Sequence, residues 1–202
     1  MEYSKVYSFI LSPPDDVIRE IERFKLFSRE TIGAFESMNS KAHLTICEPR
    51  LEKLQVMVNT VKRLERELKS IPAVELTINN LGYFDNGKAG YVIYAKVEEG
   101  ERTKIWFKTL RSLLDKKEVF NPHITIVRGI SADRFRDLWP HFEHFAYRKK
   151  FTVDSVIILE NEIIKKRRDQ IFAKLFLGAK NIMLKEVWTL FDQAGDMMNQ
   201  HG

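Results

Sequence analysis

Residues 42–46 read Ala-His-Leu-Thr-Ile, and residues 122–126 read Pro-His-Ile-Thr-Ile. Each is a short run in which polar and apolar side chains alternate, the period of a half-buried β-strand. Alternation puts His43 and Thr45 on one face of the first run and Leu44 and Ile46 on the other. His123 and Thr125 are divided from Ile124 and Ile126 in the same way. One such run is no more than the polar side of a strand. Two carry more weight, because their surroundings repeat as well.

Before His43, residues 5–11 are rich in β-formers, and 14–29 carry Val17, Ile18, Ile21, Phe24 and Leu26 at helical spacing. Before His123, a strand is expected over 90–97 and a helix over 101–114. After His43, a helix over 51–68 closes at Pro72 and is followed by a strand over 74–84. After His123, a helix over 132–142, with Pro140 placed to break it, is followed by a strand over 151–159. Each half therefore reads strand, helix, His-bearing strand, helix, strand. Asp85-Asn86-Gly87-Lys88 predicts an antiparallel hairpin between the halves, and 170–177 a last strand.

The pattern predicts an α+β fold, bilobal and internally duplicated, with antiparallel sheets flanked by helices around a central groove. The two-lobed domain is expected over 1–178, with lobes of roughly 1–84 and 85–178 whose termini can be exchanged. An amphipathic helical extension is expected over 179–202, where Leu184, Val187, Trp188 and Phe191 form a stripe. The two His-bearing strands are expected to be neighbouring central strands facing one groove.

Composition sets the outer limits. The 202 residues suffice for a substantial core, and no apolar run approaches membrane-spanning length. Cys47 is the only cysteine, so no intramolecular disulfide can form, and a cytoplasmic location is expected. The 33 Lys and Arg against 28 Asp and Glu leave a net charge of +5, a mild bias towards anionic partners.

Opposed pairs of His and Thr suit phosphodiester chemistry. In-line attack needs a base for the entering oxygen and an acid for the leaving oxygen, and imidazole serves as either near neutrality. A hydroxyl two residues from each imidazole can donate to a non-bridging oxygen that gains charge in the transition state. No metal or other cofactor is required by this scheme.

At these residues the chain resembles the 2H phosphoesterases, which include the 2′-5′ RNA ligase-like proteins and cyclic nucleotide phosphodiesterases. The resemblance covers about residues 3 to 178 and rests on His43-Leu44-Thr45-Ile46 and His123-Ile124-Thr125-Ile126, with Pro122 and Arg128 flanking the second motif. It implies catalytic roles for His43, Thr45, His123 and Thr125, and hydrolysis of a 2′,3′-cyclic phosphate of an RNA end or nucleotide, with 2′-5′ ligation as the reverse reaction. Cys47-Glu48-Pro49-Arg50 departs from the family's hydrophobic-Gly ending, which puts the substrate rim in question. The rival from another class is a noncatalytic RNA-end or nucleotide-binding module using the same groove.

Two residues are assigned to substrate binding. Phe84, at a strand end, could stack on a base. Arg128 could hold phosphate, although strict alternation from His123 puts it on the far face unless it curls round at the strand end; a structural ion pair is its other reading. The same alternation puts Cys47 on the face of His43. Gly82 to Lys88 imitates a phosphate-binding loop but joins two strands and lacks the terminal hydroxyl. His141 and His144 have no third ligand nearby in sequence. Lys165 to Arg168 reads as a solvated turn. A monomer is expected, with a dimer contact through the C-terminal helix as the alternative.

Overall fold

The computed structural model describes residues 4–116, 119–161 and 170–178. The expected C-terminal helix and the Lys165 to Arg168 turn lie outside them. The elements run β1 (Ser4–Leu11), α1 (Asp15–Ile32), β2 (Leu44–Lys53), α2 (Leu54–Glu67), β3 (Val74–Asp85), β4 (Tyr91–Val97), α3 (Glu101–Ser112), β5 (His123–Ile130), α4 (Ala132–Leu138), α5 (Pro140–Glu143), β6 (Arg148–Val153), β7 (Ser155–Asn161) and β8 (Gln170–Phe176).

Local chemistry accounts for most of these. Pro14 fixes an extended residue ahead of α1, and Asp15 and Asp16 face the positive end of its dipole. Val17, Ile18 and Ile21 are buried, and the helix ends where Gly33 takes φ +76°. Met57, Val58, Val61 and Leu64 form the buried stripe of α2. Pro140 stops α4 and starts α5 at its own first turn. Beyond the β3–β4 hairpin, Gly90 has φ +79°, and a Cβ there would stand 2.6 Å from the Ile130 carbonyl oxygen. Only glycine lets the hairpin lie against the end of β5.

All strand pairs are antiparallel. They build two four-stranded sheets, ordered β2-β1-β7-β8 and β5-β4-β3-β6. The orders superpose with β1 on β4 and the two His strands, β2 and β5, at matching edges. This is the duplicated, two-lobed architecture that the motifs predicted.

Three expectations need correction. The His strands are edge strands of separate sheets that touch one another, not central strands. The apolar run 151–159 is two strands, not one. After Val153 the chain leaves the second sheet, and after Asp154 it enters the first; the polar pair Asp154-Ser155 marks the break inside an otherwise strand-like run. Third, the counterpart of β3 is β7, the later part of the 151–159 run, and not β6: β3 pairs with β4, so it sits in the second sheet in the place that β7 takes in the first. The chain thus changes sheets after α2 and again at Asp154, not between residues 84 and 85.

Helices α1 and α3 each lean on the opposite half. From the second lobe, Tyr147 Oη donates to Glu20 at 2.9 Å and Lys149 Nζ reaches Asp16 at 3.0 Å. Arg134 donates to the carbonyls of Ile32 and Ala34 at 3.0 and 2.6 Å. In return, Trp106 Nε1 of α3 donates to the Pro72 carbonyl at 2.7 Å. One contiguous apolar core runs through both lobes, from Tyr7 and Phe9 to Ile124 and Ile126.

Candidate functional site

The site follows from a defect repeated in both His strands. Between β1 and β2, Phe9 pairs with Cys47 but Ile10 with Thr45, one step on one strand against two on the other. Between β4 and β5, Ile93 pairs with Val127 but Tyr94 with Thr125. Ile46 and Ile126 are therefore the extra residues of two equivalent β-bulges, each set one place after its Thr.

A bulge reverses the alternation beyond it. Cys47 and Val127, directly opposite core residues, turn inward and are buried. Arg128 comes round to the groove, and its counterpart in the first half is Glu48; both line the same cavity. The bulge is how Arg128 curls round to the groove against strict alternation, and Cys47, although buried, lines the cavity with His43 and Thr45. A second irregularity at Gly129, φ +70°, follows in β5, and a Cβ there would stand 2.9 Å from the Glu36 carboxyl carbon.

A bulge also takes a carbonyl out of the ladder, and each is bonded from the other lobe. Arg111 Nε on α3 donates to the Ile46 carbonyl at 3.0 Å. Ser37 Oγ, in the loop after α1, donates to the Ile126 carbonyl at 3.0 Å. Ser37 itself is fixed by Lys25, whose Nζ donates to the carbonyls of Ser37 and Ser40 at 2.9 and 2.8 Å. Burial depresses the Lys25 ammonium to about 8, with Arg128 adding repulsion.

The cavity between the lobes has a volume of about 780 Å³ and is lined by His43, Thr45, His123, Thr125 and Arg128. His43 stands immediately before β2, and His123 opens β5. Each imidazole bonds through Nδ1 to the carbonyl two residues back, His43 to Lys41 and His123 to Asn121, both at 2.8 Å. A carbonyl can only accept, so Nδ1 carries the proton and Nε2 is the atom that exchanges one with a substrate. Desolvation lowers the His123 pKa below the ordinary imidazole value; the Asn121 bond opposes this and Arg128 reinforces it.

Phe84 is placed behind His123, not along the cavity wall. Its ring stacks on Tyr94 at 4.2 Å and meets His123 edge-on at 5.1 Å. In the sequence Tyr94 reads as an ordinary strand residue. Its ring lies over Gly82, where a Cβ would stand 3.0 Å from it, and its centroid is 5.1 Å from His123. Arg111, Lys116 and Phe120 also line the cavity without any local motif to announce them. His141 instead packs edge-on against Phe27 at 5.4 Å. Among the described residues, no group of three or more His, Cys, Asp and Glu side chains is gathered to hold a metal ion, and no helix is long and apolar enough to cross a membrane.

A family model described as the 2′-5′ RNA ligase superfamily matches residues 13–162. Among solved structures, TT0787 of Thermus thermophilus is 18% identical with a TM-score of 0.65, covering 87% of this chain and 100% of that one. Escherichia coli LigT complexed with 3′-AMP is 16% identical with a TM-score of 0.63, covering 86% and 98%. LigT complexed with phosphate is 16% identical with a TM-score of 0.60, covering 87% and 99%. These likenesses are of fold. No curated protein matches the chain in sequence.

Proposed function

The chain belongs to the 2′-5′ RNA ligase superfamily of 2H phosphoesterases, and from that we propose that it is a metal-independent phosphodiesterase opening 2′,3′-cyclic phosphates of RNA ends or nucleotides. The observation that carries this reading is the pairing of His43 and His123. They come from equivalent places in the two halves, line one cavity, and share the same Nδ1 anchorage to a backbone carbonyl.

Water enters on one side of phosphorus and the ribose oxygen leaves on the other. One neutral imidazole accepts the water proton at Nε2, while the other, protonated, gives its Nε2 proton to the departing oxygen. The depressed affinity of His123 for protons suits it to the base in this direction. Thr45 and Thr125 donate to the non-bridging oxygens, and Arg128 faces their growing charge. With an RNA 5′-hydroxyl as nucleophile in place of water, the same base and acid steps form a 2′-5′ phosphodiester as the ribose 3′ oxygen leaves. The binding of 3′-AMP and of phosphate by LigT, a relative in fold, supports a nucleotide-sized anion in this groove.

The test is turnover of 2′,3′-cyclic mononucleotides in the presence of EDTA. Activity is expected to persist, and His43→Ala or His123→Ala each to lower it by roughly two to four orders of magnitude. Loss on chelation with recovery on added zinc or manganese would refute the metal-independent scheme. Tight nucleotide binding with no turnover would favour a binding module.

A further inference from the structure

A second cleft opens off the groove. It has a volume of about 430 Å³, and Arg111, Lys116 and Phe120 line both it and the main cavity. Beyond them it runs along α3 past Phe107, Lys108 and Lys104, and among the described residues Glu99 is the one acidic residue that lines it. Among those residues, four cationic side chains against one carboxylate give the cleft a basic lining. Its aromatic floor is ordered: Phe120 packs on Phe107 at 5.0 Å, and the Arg111 guanidinium lies over the Phe120 ring at 4.5 Å.

The lysines are not needed by the fold. Lys104 makes only an exposed pair with Glu101 at 3.4 Å, and Lys108 is exposed. Buried Trp106, Phe107 and Leu110 hold the other side of α3 to the core. A row of exposed cations beside an ordered aromatic, opening into a site for a phosphodiester, has the chemistry of a single-stranded nucleic-acid track. Cations meet successive phosphates, and a ring offers a face to a base whatever its identity.

We propose that the α3 cleft binds the RNA chain on the 5′ side of the reacting terminus, so that the preferred substrate is an oligonucleotide and not a mononucleotide. The terminal nucleotide occupies the groove between the histidines, a base of the adjoining chain stacks at Phe120, and the phosphates behind it pass Lys116, Lys108 and Lys104. The inference rests on the proposed phosphodiester chemistry for what sits in the groove, but the track is tested by binding alone.

A labelled five-nucleotide RNA bearing a 3′-phosphate is titrated with the full chain at several salt concentrations, beside Lys104→Ala/Lys108→Ala. Both changes are at exposed helical positions, and circular dichroism checks that the variant is folded. Loss of two phosphate contacts is expected to weaken binding and to flatten log K against log salt by about 1.4, at about 0.7 per contact for a single strand. In turnover, the ratio of KM for a cyclic-phosphate pentamer to KM for 2′,3′-cyclic AMP is expected to rise in the variant. An unchanged salt slope and an unchanged ratio would overturn the track. Salt-dependent pentamer binding that falls in the variant, with neither substrate turned over, would uphold the track and count against the phosphodiesterase.

Discussion

Ser37→Ala tests the bracing of the second His strand with a single atom removed. The hydroxyl of Ser37, a residue 9% exposed, donates to the carbonyl of wholly buried Ile126 across the groove. Deleting it leaves the surrounding loop in place, because the Ser37 carbonyl still accepts from Lys25 Nζ at 2.9 Å and from Ser40 Oγ at 2.8 Å. The cost is thus that of depriving one buried carbonyl of its donor, roughly 1–3 kcal/mol. For a chain of this length that corresponds to a fall in Tm of about 2–12 °C. Urea and thermal unfolding measure it directly. Because Ile126 follows Thr125, kcat is expected to fall as well, while Ser37→Thr, which keeps the hydroxyl, retains both. Stability within about 0.5 kcal/mol of the parent together with unchanged kcat would show that the bulge needs no brace, and the account of how the two lobes fix the site would fail.

Arg128→Gln removes a positive neighbour that helps depress His123, so the acid limb of kcat/KM is expected to move upward in pH; an unmoved limb would dissociate Arg128 from that histidine. Lys25 is depressed from its ordinary 10.5 to about 8 in the folded chain. Between those values the unfolded chain binds more protons, so Lys25 makes stability rise with pH across that window. Lys25→Met should lose that part of the rise, as urea midpoints at pH 8 and about 9.5 compare. Gly129→Ala forces a side chain into φ +70° and against Glu36, and is expected to cost about 1–2 kcal/mol by chemical denaturation; a neutral result would mean that this turn relaxes freely.

The parts of the fold legible in the sequence were those written locally. Asn86-Gly87 marks the β3–β4 hairpin, Pro140 divides α4 from α5, and the two His-x-Thr runs disclose the duplication. What stayed hidden depends on partners distant in the chain. A bulge is a mismatch of register between two strands, so nothing around Ile126 reveals that Arg128 turns to the groove. The run from Phe151 to Leu159 carries one polar interruption, Asp154-Ser155, which the alternation of a single strand can absorb, and it is the existence of two sheets that makes it a break. Arg111 and Phe120 reach the cavity from α3 and the loop beyond it, across the lobe boundary, with no spacing to relate them to His43.

The crossing at Asp154 also sets the order in which the molecule can be assembled. Every strand of the second sheet lies within residues 74–153, whereas β1 waits for β7, pairing Ile10 with Ile157. As the chain leaves the ribosome, the second sheet can close on itself early, while β1 and β2 remain a two-stranded ribbon, marginal in water by itself. Closing the first sheet then requires a loop from Ile10 to Ile157, most of the chain, the kind of non-local pairing that makes folding slow. A nascent chain arrested before residue 155 would carry both histidines and have only one of their two sheets complete.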